Sequence, residues 1–149
     1  AHAGQTGLKI TYDVGVGEEL PYPDASFDAV VCVDVLEHVQ DLPQVVAEIA
    51  RVLKPGGMFL YDTINRGVLA RLAAITLAED VVKILPKGTH DPALFIRPKD
   101  LADVMEKSGL EVGPTTGLGP RGINRRGDLI FGPLPSRAVI YMGLATKPG

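Results

Sequence analysis

The chain has 149 residues, enough for one domain with a real core, and carries 15 Lys and Arg against 18 Asp and Glu, a net charge of -3. That balance excludes a nucleic-acid binder relying on a general basic surface, and the absence of tryptophan disfavours a base-stacking platform. A single cysteine, Cys32, cannot close an internal disulfide, so a reducing, cytoplasmic setting is expected.

Residues Ala1–Gly7 read as the tail of a helix ended by glycine. Leu8–Val14, with β-branched and aromatic side chains, is expected as a strand, followed by the turn-rich connection Gly15–Asp24 with its two prolines. Phe27–Val33 is a short, nearly continuous apolar run of the kind that forms a parallel strand buried on both faces. It stops at Asp34, with Glu37 and His38 close behind, so three metal-capable side chains crowd the carboxyl end of a strand, where α/β sheets bind ligands. On spacing alone a plain turn at Asp34, with Glu37 and His38 opening the next helix, is the simpler account.

Asp41 is a good N-cap and Pro43 suits the first helical turn. Val45, Val46, Ile49, Val52 and Leu53 then form one apolar stripe, and Lys54-Pro-Gly-Gly57 ends the helix. Met58–Asp62 is a second apolar strand, closed by Thr63–Arg66. A largely apolar helical stretch follows at Gly67–Leu85, then an amphipathic helix at Lys99–Lys107 stopped by Ser108-Gly109. Leu110–Val112 begins another strand and Ala138–Ala145 is the last. Between them Gly113–Pro135, rich in glycine and proline and carrying Arg121, Arg125 and Arg126, is expected as a functional lid or a disordered stretch. The alternation of strand, helix and strand predicts βαβ units in one domain, with no internal repeat.

Three blocks in this order resemble the class I S-adenosylmethionine-dependent methyltransferases: Glu18-Glu-Leu-Pro-Tyr-Pro-Asp-Ala-Ser-Phe-Asp28, the strand ending at Asp34 before Leu36-Glu-His-Val39, and Arg51-Val-Leu-Lys-Pro-Gly-Gly57. Thr63-Ile-Asn-Arg66, Pro86-Lys-Gly-Thr-His-Asp91 and Phe95-Ile-Arg-Pro98 narrow the likeness to the ubiquinone-biosynthesis O-methyltransferases. The resemblance implies an α/β, Rossmann-like, three-layer fold with a mainly parallel sheet and an antiparallel last strand. It also implies a single domain over 1–149 with a helical lid at 67–98. The family's first strands and glycine-rich loop have no counterpart here, so the chain is expected to begin downstream of them. Where the family tends to have Tyr-Asn-Pro before its final strand, this chain has Ile123-Asn-Arg125.

The implied reaction is O-methylation of a prenylated catechol or demethylubiquinol, with S-adenosylmethionine as cofactor. By the same resemblance Val16, Gly17, Glu18 and Val33 would lie beside the cofactor's adenine. Asp34 and Glu37 would ligate Mg²⁺, which a catechol's paired oxygens can chelate, with His38 as third ligand or as a neighbouring catalytic base. His38 is alternatively a hydrogen-bonding neighbour of the cofactor. His90 and Asp91 become catalytic candidates on the lid, His90 as a general base, although Thr89-His-Asp-Pro92 is also an ordinary turn sequence. Gly67–Ala78 is either a packed helix or, as the resemblance favours, a segment in peripheral contact with the inner face of the membrane. Two other functions stay open: methylation of a different phenol or small metabolite, and an inactive module that binds membrane or partner. A nicotinamide-binding domain is disfavoured, because no Gly-x-Gly-x-x-Gly opens a strand–helix turn.

Overall fold

The computed structural model describes residues 7–67 and 93–149, which form a five-stranded mixed sheet with two α-helices. The elements are β1 (Phe27–Cys32), a 3₁₀ turn (Leu36–His38), α1 (Leu42–Val52), β2 (Leu53–Ile64), α2 (Pro98–Lys107), β3 (Glu111–Ile123), β4 (Leu129–Leu134) and β5 (Ile140–Thr146). The sheet order is β1-β2-β5-β3-β4. β1 and β2 pair in parallel, and every other pair is antiparallel. The antiparallel last strand is as expected, whereas a mainly parallel sheet is not what the described residues form. The cause lies in residues 113–135. In place of a lid or disordered loop they complete β3 and form β4, adding an antiparallel hairpin to the sheet.

That segment pairs despite its composition because its special residues sit where a ladder tolerates them. Pro133 lies on the edge strand β4, where a missing N–H is harmless. A Cβ on Gly117 would collide with the Ser136 carbonyl oxygen, so the close approach of the two segments requires glycine. The hairpin turn is built by Asn124, whose side-chain oxygen accepts from the backbone N–H groups of Arg126 and Asp128 at 2.8 and 2.9 Å.

Both helices pack on one face of the sheet. Val45, Val46 and Ile49 of α1 and Leu101 and Met105 of α2 join Cys32, Phe59, Tyr61, Tyr141 and Ala145 in one core. α1 starts as the sequence predicts: the Asp41 carboxylate accepts from Gln44 N–H at 3.1 Å, with Pro43 in the first turn. Its end runs straight into β2, so Lys54–Gly57 belong to the strand rather than to a separate connection.

Two strand expectations fail for one physical reason. A strand is stable only where neighbours take up its hydrogen bonds and its apolar side chains. Leu8–Val14 has no ladder partner among the described residues and exposes Leu8, Ile10, Tyr12 and Val14. β1 buries only alternate side chains: Cys32 faces the helices, while Val31 on the opposite face is 67% exposed. Met58, Leu60 and Leu144 are exposed as well. Among the described residues, then, one face of the sheet carries helices and the three-layer arrangement is not complete. Most of the expected helical lid, together with His90 and Asp91, lies outside the described residues, as do residues 1–6.

α2 ends in a Schellman turn. Gly109 N–H donates to the Glu106 carbonyl and Leu110 N–H to the Met105 carbonyl, both at 3.0 Å, with Gly109 at φ +81°. Nothing lies within 4 Å of where a Cβ at Gly109 would be, so any loss there is conformational. Gly109→Ala is expected to lower stability by about 1–2 kcal/mol, read as a lower urea midpoint at unchanged slope.

Candidate functional site at the carboxyl ends of the strands

β1 hands the chain to a sharp bend at Asp34, whose φ of +53° lies in the left-handed region that aspartate tolerates better than most side chains. The bend is held from β2: Asp34 N–H donates to Asp62 Oδ1 at 2.8 Å. The 3₁₀ turn follows, with Leu36 inserted into the core. Glu37 points inward too. Glu37 is 1% exposed and its carboxyl group accepts from Thr63 Oγ1 at 2.8 Å, with Thr63 itself fully buried. Asp34 and His38, on either side, are exposed. Asp62 and Thr63 are adjacent on β2 and project to opposite faces of the sheet. One thus holds the bend at Asp34 and the other holds the turn at Glu37.

This arrangement divides the metal trio expected from the resemblance. A Mg²⁺ site needs several oxygen ligands converging on one point. Glu37 is committed to Thr63 inside the fold, while Asp34 and His38 face outward. Among the described residues no three His, Cys, Asp or Glu side chains are grouped to hold a metal ion. The residues do not fit that ion as a set.

The electrostatics follow from burial. Asp62 is pushed above the usual carboxylate range by desolvation, reinforced by the nearby charges of Asp34 and Glu37 and opposed by the Asp34 amide. The Cys32 thiol is pushed up to about 11 by burial, then by Glu37 and Asp62, so it is a packing group and not a nucleophile. Burial also raises Tyr61 to about 12 and moves Tyr141 upward. The buried Tyr141 hydroxyl has no hydrogen-bond partner among the described residues.

A second group of predicted residues is seated on α1. Residues 16–19 form a tight turn, closed by Glu19 N–H to the Val16 carbonyl at 3.3 Å. Gln44 Nε2 donates to the Glu18 carbonyl at 3.1 Å, and Gly17 packs so closely on Val45 that an added Cβ would lie 3.2 Å from its methyl. Downstream, Arg51 braces the loop. Its guanidinium donates to the carbonyls of Leu20 and Tyr22 and to Asp24, and twice to Glu48, which also accepts from Leu20 N–H. Hydrogen bonds from Arg51 and from the Leu20 amide pull Glu48 down to about 2. Val16 and Val33 are left exposed, two apolar surfaces of the kind that suits an adenine ring.

Sequence reasoning did not foresee Asp62, Thr63, Glu48 or Arg51 as parts of the site. A carboxylate near the end of β2, matching the one just after β1, is the signal that could have pointed to Asp62. The Glu48–Arg51 spacing of three on a helix could have pointed to that pair. Ile123–Arg125, where the chain departs from the family, lies at the hairpin turn with Ile123 exposed.

Residues 1–61 match the family model described as a methyltransferase domain. A ubiquinone biosynthesis O-methyltransferase of Thiobacillus denitrificans is 40% identical over 119 residues, covering 78% of this chain and 51% of that protein. One of Saccharophagus degradans is 43% identical over 119 residues, covering 78% and 50%. These likenesses are to S-adenosylmethionine-dependent methyltransferases. The fold agrees. A solved methyltransferase of Thermotoga maritima, titled a possible histamine N-methyltransferase, superposes with a TM-score of 0.61 at 21% identity, covering 97% of this chain and 67% of that one. A methyltransferase from Methanosarcina mazei gives 0.59 at 20% identity, covering 91% and 66%. The chain spans about half the length of the curated relatives it matches.

Thr63→Val removes the donor from the buried Glu37 carboxyl and is expected to destabilise the fold by about 1–3 kcal/mol in urea unfolding. Glu37→Gln keeps an oxygen facing Thr63 and should lose clearly less. A second expectation concerns acid. Glu48 binds its proton more weakly folded than unfolded, so its stabilisation is present above the ordinary glutamate range and is lost as pH falls from about 4.3 toward 2. Thermal melts of Glu48→Gln should therefore fall less steeply across that window than melts of the parent.

Proposed function

We propose that this chain serves S-adenosylmethionine-dependent O-methyl transfer to a prenylated catechol or demethylubiquinol in ubiquinone biosynthesis. The observation that carries the reading is the agreement of two things. Relatives 40–43% identical bear the name of that enzyme, and the chain displays Asp34 and His38 at the carboxyl edge of β1 on a bend that β2 fixes.

In the proposed mechanism the turn at Val16–Glu18 and the exposed Val33 would hold the cofactor's adenine. When bound, the cofactor supplies a methyl group on a positively charged sulfur. The chain's own residues must present the acceptor and remove its proton. A phenol oxygen becomes a competent nucleophile as its O–H proton leaves; the new C–O bond then forms as the C–S bond breaks. His38, exposed at the end of the 3₁₀ turn, is the base in this scheme, and Asp34 orients the acceptor through its second hydroxyl. The bend that carries them is held by Asp62 at the Asp34 amide and by Thr63 at the Glu37 carboxylate. A polyprenyl tail resides in the bilayer, which makes peripheral membrane contact at the cytoplasmic face part of the proposal. No helix among the described residues is long and apolar enough to cross a membrane.

The test is transfer of labelled methyl to a polyprenylated catechol and to the same catechol without its tail. Preference for the tailed acceptor is expected; preference for the bare one sinks the quinone reading. Asp34→Gly suits the left-handed bend and should leave the melting temperature unchanged or higher, so lost turnover in that variant reports the side chain itself. His38→Ala should reduce turnover by roughly 10²-fold or more if it acts as the base.

A further inference from the structure

On the far side of β2 from Asp34, the structure holds a cavity of about 780 Å³ that the proposed methyl-transfer chemistry does not use. It shares no residue with the carboxyl-edge site. Four cations line it: Arg66 just after β2, Arg97 and Lys99 flanking the first residue of α2, and Arg137 just before β5. Asn65 and Thr115 add polar atoms, and no carboxylate is among the described lining residues. In a chain with a net charge of -3 such a one-signed lining stands against the global balance.

Among the described residues these charges are also uncompensated. None of the four cations makes an ion pair among the described residues; those pairs involve Arg51 and Lys54. The partners that Arg66 and Arg137 do have are neutral. Arg66 donates to the carbonyls of Phe95 and Ala93 at 2.6 and 2.9 Å, and Arg137 to Thr115 Oγ1 at 2.7 Å. These bonds fix the direction of two guanidinium planes without cancelling their charge. Each plane keeps further N–H donors for a ligand. The first turn of α2 has no side-chain cap, and its one carboxylate, Asp100, is not among the cavity-lining residues described. Four like charges gathered round an open cavity repel one another, and a bound anion relieves that repulsion. The volume is that of a small-molecule site.

We infer that this cavity is a second ligand site that takes a phosphate group, as a monoester or diester, between Arg66, Arg97, Lys99 and Arg137. Guanidinium forks match phosphate oxygens in pairs, and the lysine adds a mobile point charge. The phosphate can come from a soluble molecule or from a lipid headgroup. The inference is independent of the methyl-transfer reading, because it is read by binding alone.

The experiment titrates the chain with inorganic phosphate and pyrophosphate by calorimetry. In parallel it measures co-flotation with phosphatidylcholine vesicles, with and without phosphatidylglycerol. R97Q/K99Q removes two exposed cations that hold no structural bond. R125Q/R126Q, at the hairpin turn, removes equal charge outside the cavity. Circular dichroism confirms that each pair folds. Pyrophosphate affinity should fall at least about tenfold in R97Q/K99Q and stay unchanged in R125Q/R126Q. Vesicle binding that needs phosphatidylglycerol and is lost in R97Q/K99Q would assign the phosphate to a headgroup. Phosphate binding with indifference to vesicles would assign it to a soluble ligand. Equal losses in both pairs, undiminished binding in R97Q/K99Q, or no binding by the parent chain to any of these probes overturns the site.

Discussion

A carboxyl group out of contact with water must find donors within the fold, and in this chain that requirement organises the site. Glu37 meets it with Thr63. The bond joins the turn after β1 to the neighbouring parallel strand across 26 residues of sequence, and so makes the turn part of the sheet. Asp62, the residue before Thr63, repeats the device from the other face by accepting the Asp34 amide. Two adjacent residues of one strand therefore set both the direction in which Asp34 leaves the sheet and the depth at which the following turn sits. The outward presentation of Asp34 and His38 is a by-product of these two bonds.

α1 performs the corresponding service for the loop upstream. It packs its apolar stripe on the sheet, and from the opposite side of the same helix Gln44, Glu48 and Arg51 hold the loop at residues 18–24. The loop has almost no regular hydrogen bonding of its own, so its shape is borrowed from the helix. A change in how α1 seats on the core would reach the loop and the strand-end bend together, because β2 follows α1 without an intervening loop.

Much of this was legible in the sequence, for reasons that are local. The N-cap at Asp41, the apolar spacing of α1 and the glycine stop at Gly109 act within a few residues of themselves, and each element appears where its pattern says. The strand-end acid at Asp34 was equally visible. What was not legible depends on partners distant in sequence. Whether Glu37 faces in or out is settled by Thr63. The strand-like Leu8–Val14 has no ladder partner among the described residues, because pattern does not supply a neighbour. The glycines and prolines of residues 113–135 read as breakers, yet they permit the close packing and edge placement that a hairpin needs. The family likeness named the positions that matter without fixing the role of each one.

The face of the sheet that carries no helix among the described residues, with Val31, Met58, Leu60 and Leu144 in contact with water, has a calorimetric consequence. Apolar surface contributes about 0.45 cal/K/mol/Å² to the heat-capacity change on unfolding, but only where it is dry beforehand. Side chains already wet in the native state add nothing. The chain should therefore unfold with a smaller heat-capacity increment than a domain of its length covered on both faces. Its stability would vary with temperature along a shallower dome, with correspondingly less tendency to unfold in the cold.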